Sequence, residues 1–142
     1  MKSFITSAAF ISKTMLFPSE IKSILLLENG LNELKQNLFL NETVFSEIKT
    51  CLNEALTNAI VHGNKENLAK FVKLDIDLIH QKCLIFKITD EGEGFKPEQI
   101  EDPTDSENLE KIGGRGVYIM RKLADFCIFN NHGNELTLYF KF

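Results

Sequence analysis

Three short stretches carry residue types that could do chemistry. Glu54 and Asn58 lie four residues apart within residues 51–64, where Leu52, Ala55, Leu56, Ala59 and Ile60 recur at helical spacing. That spacing stacks the carboxylate and the carboxamide on one helix face, about 6 Å apart along the axis. The carboxylate can accept a proton or orient a hydroxyl, and the amide oxygen is a neutral hard ligand suited to Mg²⁺. Further on, Asp90-Glu91-Gly92-Glu93-Gly94-Phe95 follows a strand-like run. There Asp90 can accept a hydrogen bond from an exocyclic amine such as that of adenine, while Gly92 and Gly94 let the backbone approach a ligand closely. Gly113-Gly114-Arg115-Gly116 precedes a helical run that begins at Val117. It has the physics of a phosphate cradle: free N–H groups, the positive end of a helix, and no side chains in the way. It is neither a GxxxxGK[ST] loop nor a dinucleotide fingerprint, because the Lys and the βαβ context are absent. Taken singly, none of the three is specific.

The surrounding chain supplies elements to position them. Residues up to Phe17 are rich in β-branched and aromatic types (Phe4, Ile5, Phe10, Ile11) and predict one or two strands. Pro18-Ser19-Glu20 reads as a helix start with Ser19 as N-cap. Ile21, Ile24, Leu25, Leu31, Leu34 and Leu38 then repeat at helical spacing, interrupted by Gly30 as a kink, a tight helix contact or a break. Asn41-Glu42-Thr43 opens the helix that carries Glu54 and Asn58, and Gly63 is placed to end it in the left-handed conformation. Val72, Leu74, Ile76 and Leu78 alternate with Lys73, Asp75 and Asp77, and a turn at His80-Gln81-Lys82 leads into residues 83–89, an antiparallel hairpin. After a polar, acidic segment, the helix from Val117 is followed by a strand at Phe126–Phe129, a turn at Asn131-His132-Gly133-Asn134, and a final alternating strand. Helices and antiparallel strands in this order predict an α+β fold, a two-layer sandwich whose mixed, mostly antiparallel sheet carries its helices on one face.

At 142 residues the chain reads as a single domain, long enough to bury roughly 68–70% of its unfolded surface. A formal net charge of −4 with no Lys/Arg run argues against a nucleic-acid surface. It leaves room for one nucleotide, whose charge a metal and backbone N–H groups can carry. Cys51, Cys83 and Cys127 have neither metal-ligand nor disulfide spacing and read as buried thiols. No apolar run approaches the ~20 residues that cross a membrane, and the start of the chain does not read as a signal peptide. These features together predict a reduced, cytoplasmic, soluble domain.

In their order and context the three stretches resemble the GHKL (histidine-kinase-like) ATPase family: its N box, first glycine box and second glycine box. Glu54-Ala-Leu-Thr-Asn58-Ala-Ile-Val-His62-Gly63-Asn64-Lys65-Glu66, Asp90-Glu-Gly-Glu-Gly-Phe95 and Gly114-Arg-Gly-Val-Tyr-Ile-Met120 carry the resemblance. Within the family the chain is similar to the small bacterial anti-sigma factors that are also serine-protein kinases, over nearly all of residues 1–142. The resemblance implies ATP and Mg²⁺ as cofactors. Asn58 would ligate the Mg²⁺, Asp90 would bind the adenine amine, and Gly92 and Gly94 would shape the pocket. Gly114, Arg115, Gly116 and Val117 would hold the nucleotide's phosphate end, and Glu54 would deprotonate the serine of a partner protein. Residues 99–111 would form a lid over ATP. Implied partners are a STAS-type anti-anti-sigma protein and a sigma factor, with homodimers through the sheet as in relatives, and neither nucleic acid nor membrane. Rival readings are a non-catalytic ATP-gated binding module and a domain serving a response regulator. His62, one turn beyond Asn58, reads as a histidine set favourably at a helix C-terminus. Glu91 and Glu93 read as solvated, since they would repel a triphosphate.

Overall fold

The computed structural model describes residues 12–94 and 114–142. Their order is strand β1 (Ser12–Pro18), helices α1 (Ser23–Leu38) and α2 (Glu42–Asn58), and strands β2 (Phe71–Ile79) and β3 (Cys83–Thr89). Helix α3 (Gly114–Leu123) and strands β4 (Phe126–Phe129) and β5 (Glu135–Lys141) complete it. The expected strand residues Phe4, Ile5, Phe10 and Ile11, and the expected lid at 99–111, lie outside the described residues.

Alternation makes the sheet. Val72, Leu74, Ile76 and Leu78 on β2, Leu84, Phe86 and Ile88 on β3, and Leu136, Leu138 and Phe140 on β5 all point to one side and are buried. The strands lie in the order β1-β2-β3-β5-β4, and every described pairing is antiparallel. Three residues, 80–82, link β2 and β3, and His80 (φ 52°) and Gln81 (φ 59°) supply the positive φ pair that the twist of a tight hairpin favours. The helices cover the inner face. Leu27, Leu31 and Leu34 of α1, Ile48, Leu52 and Leu56 of α2, and Val117 and Met120 of α3 join the strand side chains in one core. The fold is therefore the predicted two-layer α+β sandwich.

Local chemistry explains the helix ends, and corrects two expectations. Asn41 caps α2, its side chain accepting from the Val44 N–H at 2.9 Å. Ser19 does not cap α1, which starts at Ser23 after a turn; the Ser19 hydroxyl is buried and donates to the Lys70 carbonyl at 2.7 Å. Leu27 faces the sheet, while Ile21 and Leu25 are 47% and 63% exposed, a choice that periodicity cannot make among three consecutive leucines. The second correction concerns Gly63, which is not left-handed: α2 gives way to a single π-helical turn, Ala59–Gly63, and the left-handed residues are Lys65 and Glu66. Gly30 is a tight contact within a continuous α1, since a Cβ there would lie 2.8 Å from Met15 Cε on β1.

All three cysteines are free. Cys51 is buried as expected, whereas Cys83 at the start of β3 and Cys127 on edge strand β4 are only half-buried. Burial pushes the Cys51 thiol up to about 12 and the Cys127 thiol to about 11. Among the described residues, no helix is long and apolar enough to cross a membrane.

Asn64 follows the π turn and is buried. Its Nδ2 donates to Ser19 Oγ (3.0 Å) and to the Phe71 carbonyl (3.1 Å), and its Oδ1 accepts from the Glu91 N–H (2.7 Å). Asn64→Ala would remove the side-chain partner of two part-buried backbone groups, the Phe71 carbonyl and the Glu91 N–H, at about 1–3 kcal/mol each. The expected loss is about 2–4 kcal/mol, read as a lower urea midpoint at unchanged slope. Asn67→Ala, which removes one exposed side-chain bond to Ala69, should cost less than about 1 kcal/mol. Equal losses in the two variants would contradict the role given to Asn64.

Candidate functional site

A cavity of about 210 Å³ opens between the helices and the end of the sheet where β3 finishes. One wall is the end of α2 and the turn after it: Ala55, Asn58, Ala59, His62, Gly63 and Lys65. Ile88, Phe129 and Leu136 form an apolar floor, and Val117 and Met120 of α3 close the opposite side. Asp90, Glu93 and Gly94 stand at the rim beside Gly133, Asn134 and Glu135 of the β4–β5 hairpin.

Asp90 is fixed from several directions. Its N–H donates to the Asn134 carbonyl at 3.0 Å, and its own carbonyl accepts from Asn134 Nδ2 at 3.3 Å. Its Oδ1 accepts from the Gly92 N–H at 2.8 Å. Burial raises the carboxyl above its ordinary value, offset in part by the Gly92 N–H and by the charges of His132 and Lys70. A partly desolvated carboxylate that keeps unused lone pairs facing an apolar cavity is suited to bind a donor such as an exocyclic amine.

Small residues allow this packing. A Cβ on Gly63 would lie 2.5 Å from Asp90 Oδ2, and one on Gly92 would collide with the Gly63 carbonyl oxygen. Gly94, at φ 80°, lies against the carbonyl oxygen of His132 in the hairpin turn. The turn is braced by Asn130, whose Oδ1 accepts from the N–H groups of Gly133, Asn134 and Glu135 and whose Nδ2 donates to Asn134 Oδ1.

Four of the residues singled out in the sequence therefore line the cavity: Asn58, Asp90, Gly94 and Val117. Gly92 lies against Gly63 and Asp90. Glu54, one turn before Asn58 and half-buried, turns its Oε2 toward Gly116 of α3 and does not line the cavity. Gly114 begins α3. Arg115 is exposed and is not part of the lining.

Sequence reading missed other lining residues. Lys65 stood in the first motif stretch with no role assigned to it, and the turn signal at 131–134 gave no hint that Gly133, Asn134 and Glu135 would line a cavity beside Asp90. Glu93 is exposed as expected, and His62 lies in the last turn after α2 and is exposed, yet both line the cavity. Glu91 is not merely solvated, since its Oε2 accepts from the Phe71 N–H at 2.6 Å.

A divalent ion fits this donor set only with help from a ligand. No cluster of three His, Cys, Asp or Glu able to hold a metal occurs among the described residues, and the Asn58 carboxamide is a single neutral donor. That suits Mg²⁺, which keeps waters and takes one or two protein groups together with phosphate oxygens. The first turn of α3, whose N–H groups have no acceptor within the helix and whose Gly116 is bare of a side chain, suits the phosphates themselves.

Comparison with known proteins gives the family. The family model for the histidine kinase-like ATPase domain matches residues 17–140. An anti-sigma F factor of Geobacillus stearothermophilus is 33% identical over 100 residues, covering 68% of this chain and 67% of the relative. A serine-protein kinase RsbW of Oceanobacillus iheyensis is 28% identical over 102 residues, and the match spans 64% of that protein, a little under two thirds of its length. A crystal structure of the RsbU and RsbW domains of a Mycobacterium tuberculosis protein superposes with a TM-score of 0.64 at 12% identity, covering 91% of this chain and 31% of that one. The chain belongs to the histidine kinase-like ATPase domain family.

Proposed function

We propose that the protein binds Mg-ATP and transfers its terminal phosphate to a serine of a partner protein, acting as an anti-sigma-type switch. The observation that carries this reading is Asp90, a partly buried carboxylate facing an apolar cavity whose other end is bounded by Asn58 and the first turns of helix α3. Asp90 accepts a hydrogen bond from the adenine amine over the floor of Ile88 and Leu136. Asn58 ligates Mg²⁺, and Gly114, Arg115, Gly116 and Val117 receive the phosphate end of the nucleotide, with Gly92 and Gly94 shaping the pocket. Bound Mg²⁺ neutralises phosphate charge that develops during transfer. Glu54 takes the proton from the serine hydroxyl as its oxygen bonds to the γ-phosphorus. The bond between that phosphorus and the β–γ bridging oxygen breaks, and ADP leaves. The name anti-sigma F factor, borne by a relative, supports a sigma factor as one partner, and the name serine-protein kinase supports a protein serine as acceptor. A STAS-type anti-anti-sigma protein would carry that serine. A homodimer through the outer sheet face and a reduced cytoplasmic setting complete the proposal. Leu16, Phe126 and Ile128, all more than half exposed, lie on that face.

One observation favours the rival reading of an ATP-gated binding module without transfer: Glu54 faces α3 rather than the cavity. The two residues on the α2 face separate these readings. Asn58→Ala should weaken Mg-ATP binding and transfer together. Glu54→Gln should keep nucleotide binding while transfer to the captured serine protein falls by about 10²–10⁴-fold. Transfer at the wild-type rate by Glu54→Gln would remove Glu54 from the chemistry. Nucleotide-dependent partner capture without transfer by the wild type would establish the module.

Asp90 gives a prediction with opposite signs for stability and binding. Its carboxyl is raised in the folded state, so the folded chain holds that proton more tightly than the unfolded chain. This contribution therefore falls as pH rises from the unfolded value, about 3.9, through the folded one. Asp90→Asn removes the burial cost of the charge and keeps an oxygen for the Gly92 N–H, so the ligand-free melting temperature should hold or rise. Mg-ATP affinity should drop about 10–100-fold, because an amide donor can face the adenine amine. Wild-type affinity should likewise weaken as pH falls through the raised carboxyl value. A thermal-shift titration in which wild type gains nothing from Mg-ATP would overturn the nucleotide assignment.

A further inference from the structure

Gly116 is the third residue of α3 and is buried. Its backbone is not in the left-handed region, so conformation does not call for glycine. Within a helix, glycine is disfavoured against alanine by about 1 kcal/mol. What an alanine would meet there is Glu54. A Cβ on Gly116 would lie 2.6 Å from Glu54 Oε2, 3.4 Å from Glu54 Cβ and 3.3 Å from Asn58 Nδ2. The Oε2 distance is well inside van der Waals contact, and Oε2 is the free end of a flexible side chain. The carboxylate, not the helix, would give way.

We infer that Gly116 is a positioning residue for Glu54: the space left by its missing side chain holds the Glu54 carboxylate against the first turn of α3. The N–H groups of that turn, which have no acceptor within the helix, and its positive dipole favour a carboxylate there. The helix that would receive phosphate and the proposed base thus pack as one unit, and a shift of α3 carries to Glu54 by contact. This goes beyond backbone binding of phosphate by a glycine loop, because it assigns the size of residue 116 to the placement of residue 54. Its consequence for catalysis rests on the kinase reading above, whereas the contact itself does not.

The test compares wild type, Gly116→Ala, Glu54→Ala and the double variant. In ¹³C NMR of the ligand-free chain, Gly116→Ala should displace the Glu54 side-chain carboxyl resonance. The melting temperature should stay within roughly 3 °C of wild type, since the side chain yields and alanine favours the helix. Single-turnover transfer to the captured serine protein, measured at saturating Mg-ATP, should fall at least about tenfold, as misplacement of a base predicts. Should Gly116→Ala fail to fold, the double variant should fold, because the group that clashes is gone. A Glu54 resonance unmoved in folded Gly116→Ala overturns the inference. So does transfer at the wild-type rate despite a displaced resonance, or a double variant that unfolds where Glu54→Ala alone folds. If wild type transfers no phosphate, the kinase reading falls, and the carboxyl resonance still decides the contact.

Discussion

One buried carboxamide fixes how the site's backbone segments meet. Asn64 joins the turn before α1 through Ser19, the start of β2 through Phe71, and the loop after β3 through Glu91. Ser19 extends the link to the Lys70 carbonyl. These segments are far apart in sequence and none could satisfy its buried groups alone. An asparagine is suited to this place because it offers two donors and an acceptor with no charge to desolvate. Its position at the end of the π turn also sets where α2 stops. The Asn64 N–H reaches back to the Ala59 carbonyl and the Glu66 N–H to that of Ile60, both at 2.8 Å. The extra residue in that turn brings Gly63 against Asp90.

A second constraint works from the other side of Asp90. Asn134 holds both backbone polar groups of Asp90, and Asn130 holds the turn that presents Asn134. The carboxylate is thus gripped between the α2 terminus and the β4–β5 hairpin while its own side chain remains partly desolvated. A group so placed works against stability at neutral pH, and Asn at this position would pack as well. Keeping an Asp here is understandable as a requirement of binding rather than of folding.

The sequence made most of the architecture legible, because period changes are local. Val72 to Leu78 alternate and occupy one face; Leu52, Ala55 and Leu56 recur and are buried. Glu54 and Asn58 share a helix face as their spacing required, and the Asp90 loop leaves the sheet where the strand pattern ends. What could not be read was long-range. Gly63 looked like a helix terminator, and its actual constraint is a carboxylate 27 residues away. Ser19 looked like a cap because nothing local reveals that Lys70 and Asn64 will be its partners. Glu91 looked solvated because the Phe71 N–H it binds belongs to the start of another strand. The lining role of Gly133, Asn134 and Glu135 likewise depends on β5 pairing with β3, which places Glu135 opposite Thr89, next to Asp90.

Charge then limits how an anionic ligand could lie in the cavity. The lining carboxylates gather at one end: Asp90 is bound to Asn134, Glu135 follows it, and Glu93 precedes the glycine packed on the hairpin turn. Phosphates placed there would face repulsion in a partly desolvated setting, where charges interact more strongly than in water. Toward α3 the lining is neutral, with Asn58 and Val117, and the helix N-terminus is positive. Lys65 and His62 on the α2 side are the cationic or protonatable members of the described lining. A nucleotide would therefore direct its amine-bearing base to Asp90 and its phosphates to α3. Glu54 is an exception to this separation, as a carboxylate at the phosphate end. Its Oε2 lies against Gly116, where the field of the helix terminus offsets a negative charge. That placement keeps a carboxylate near the phosphate end without setting it in the cavity wall.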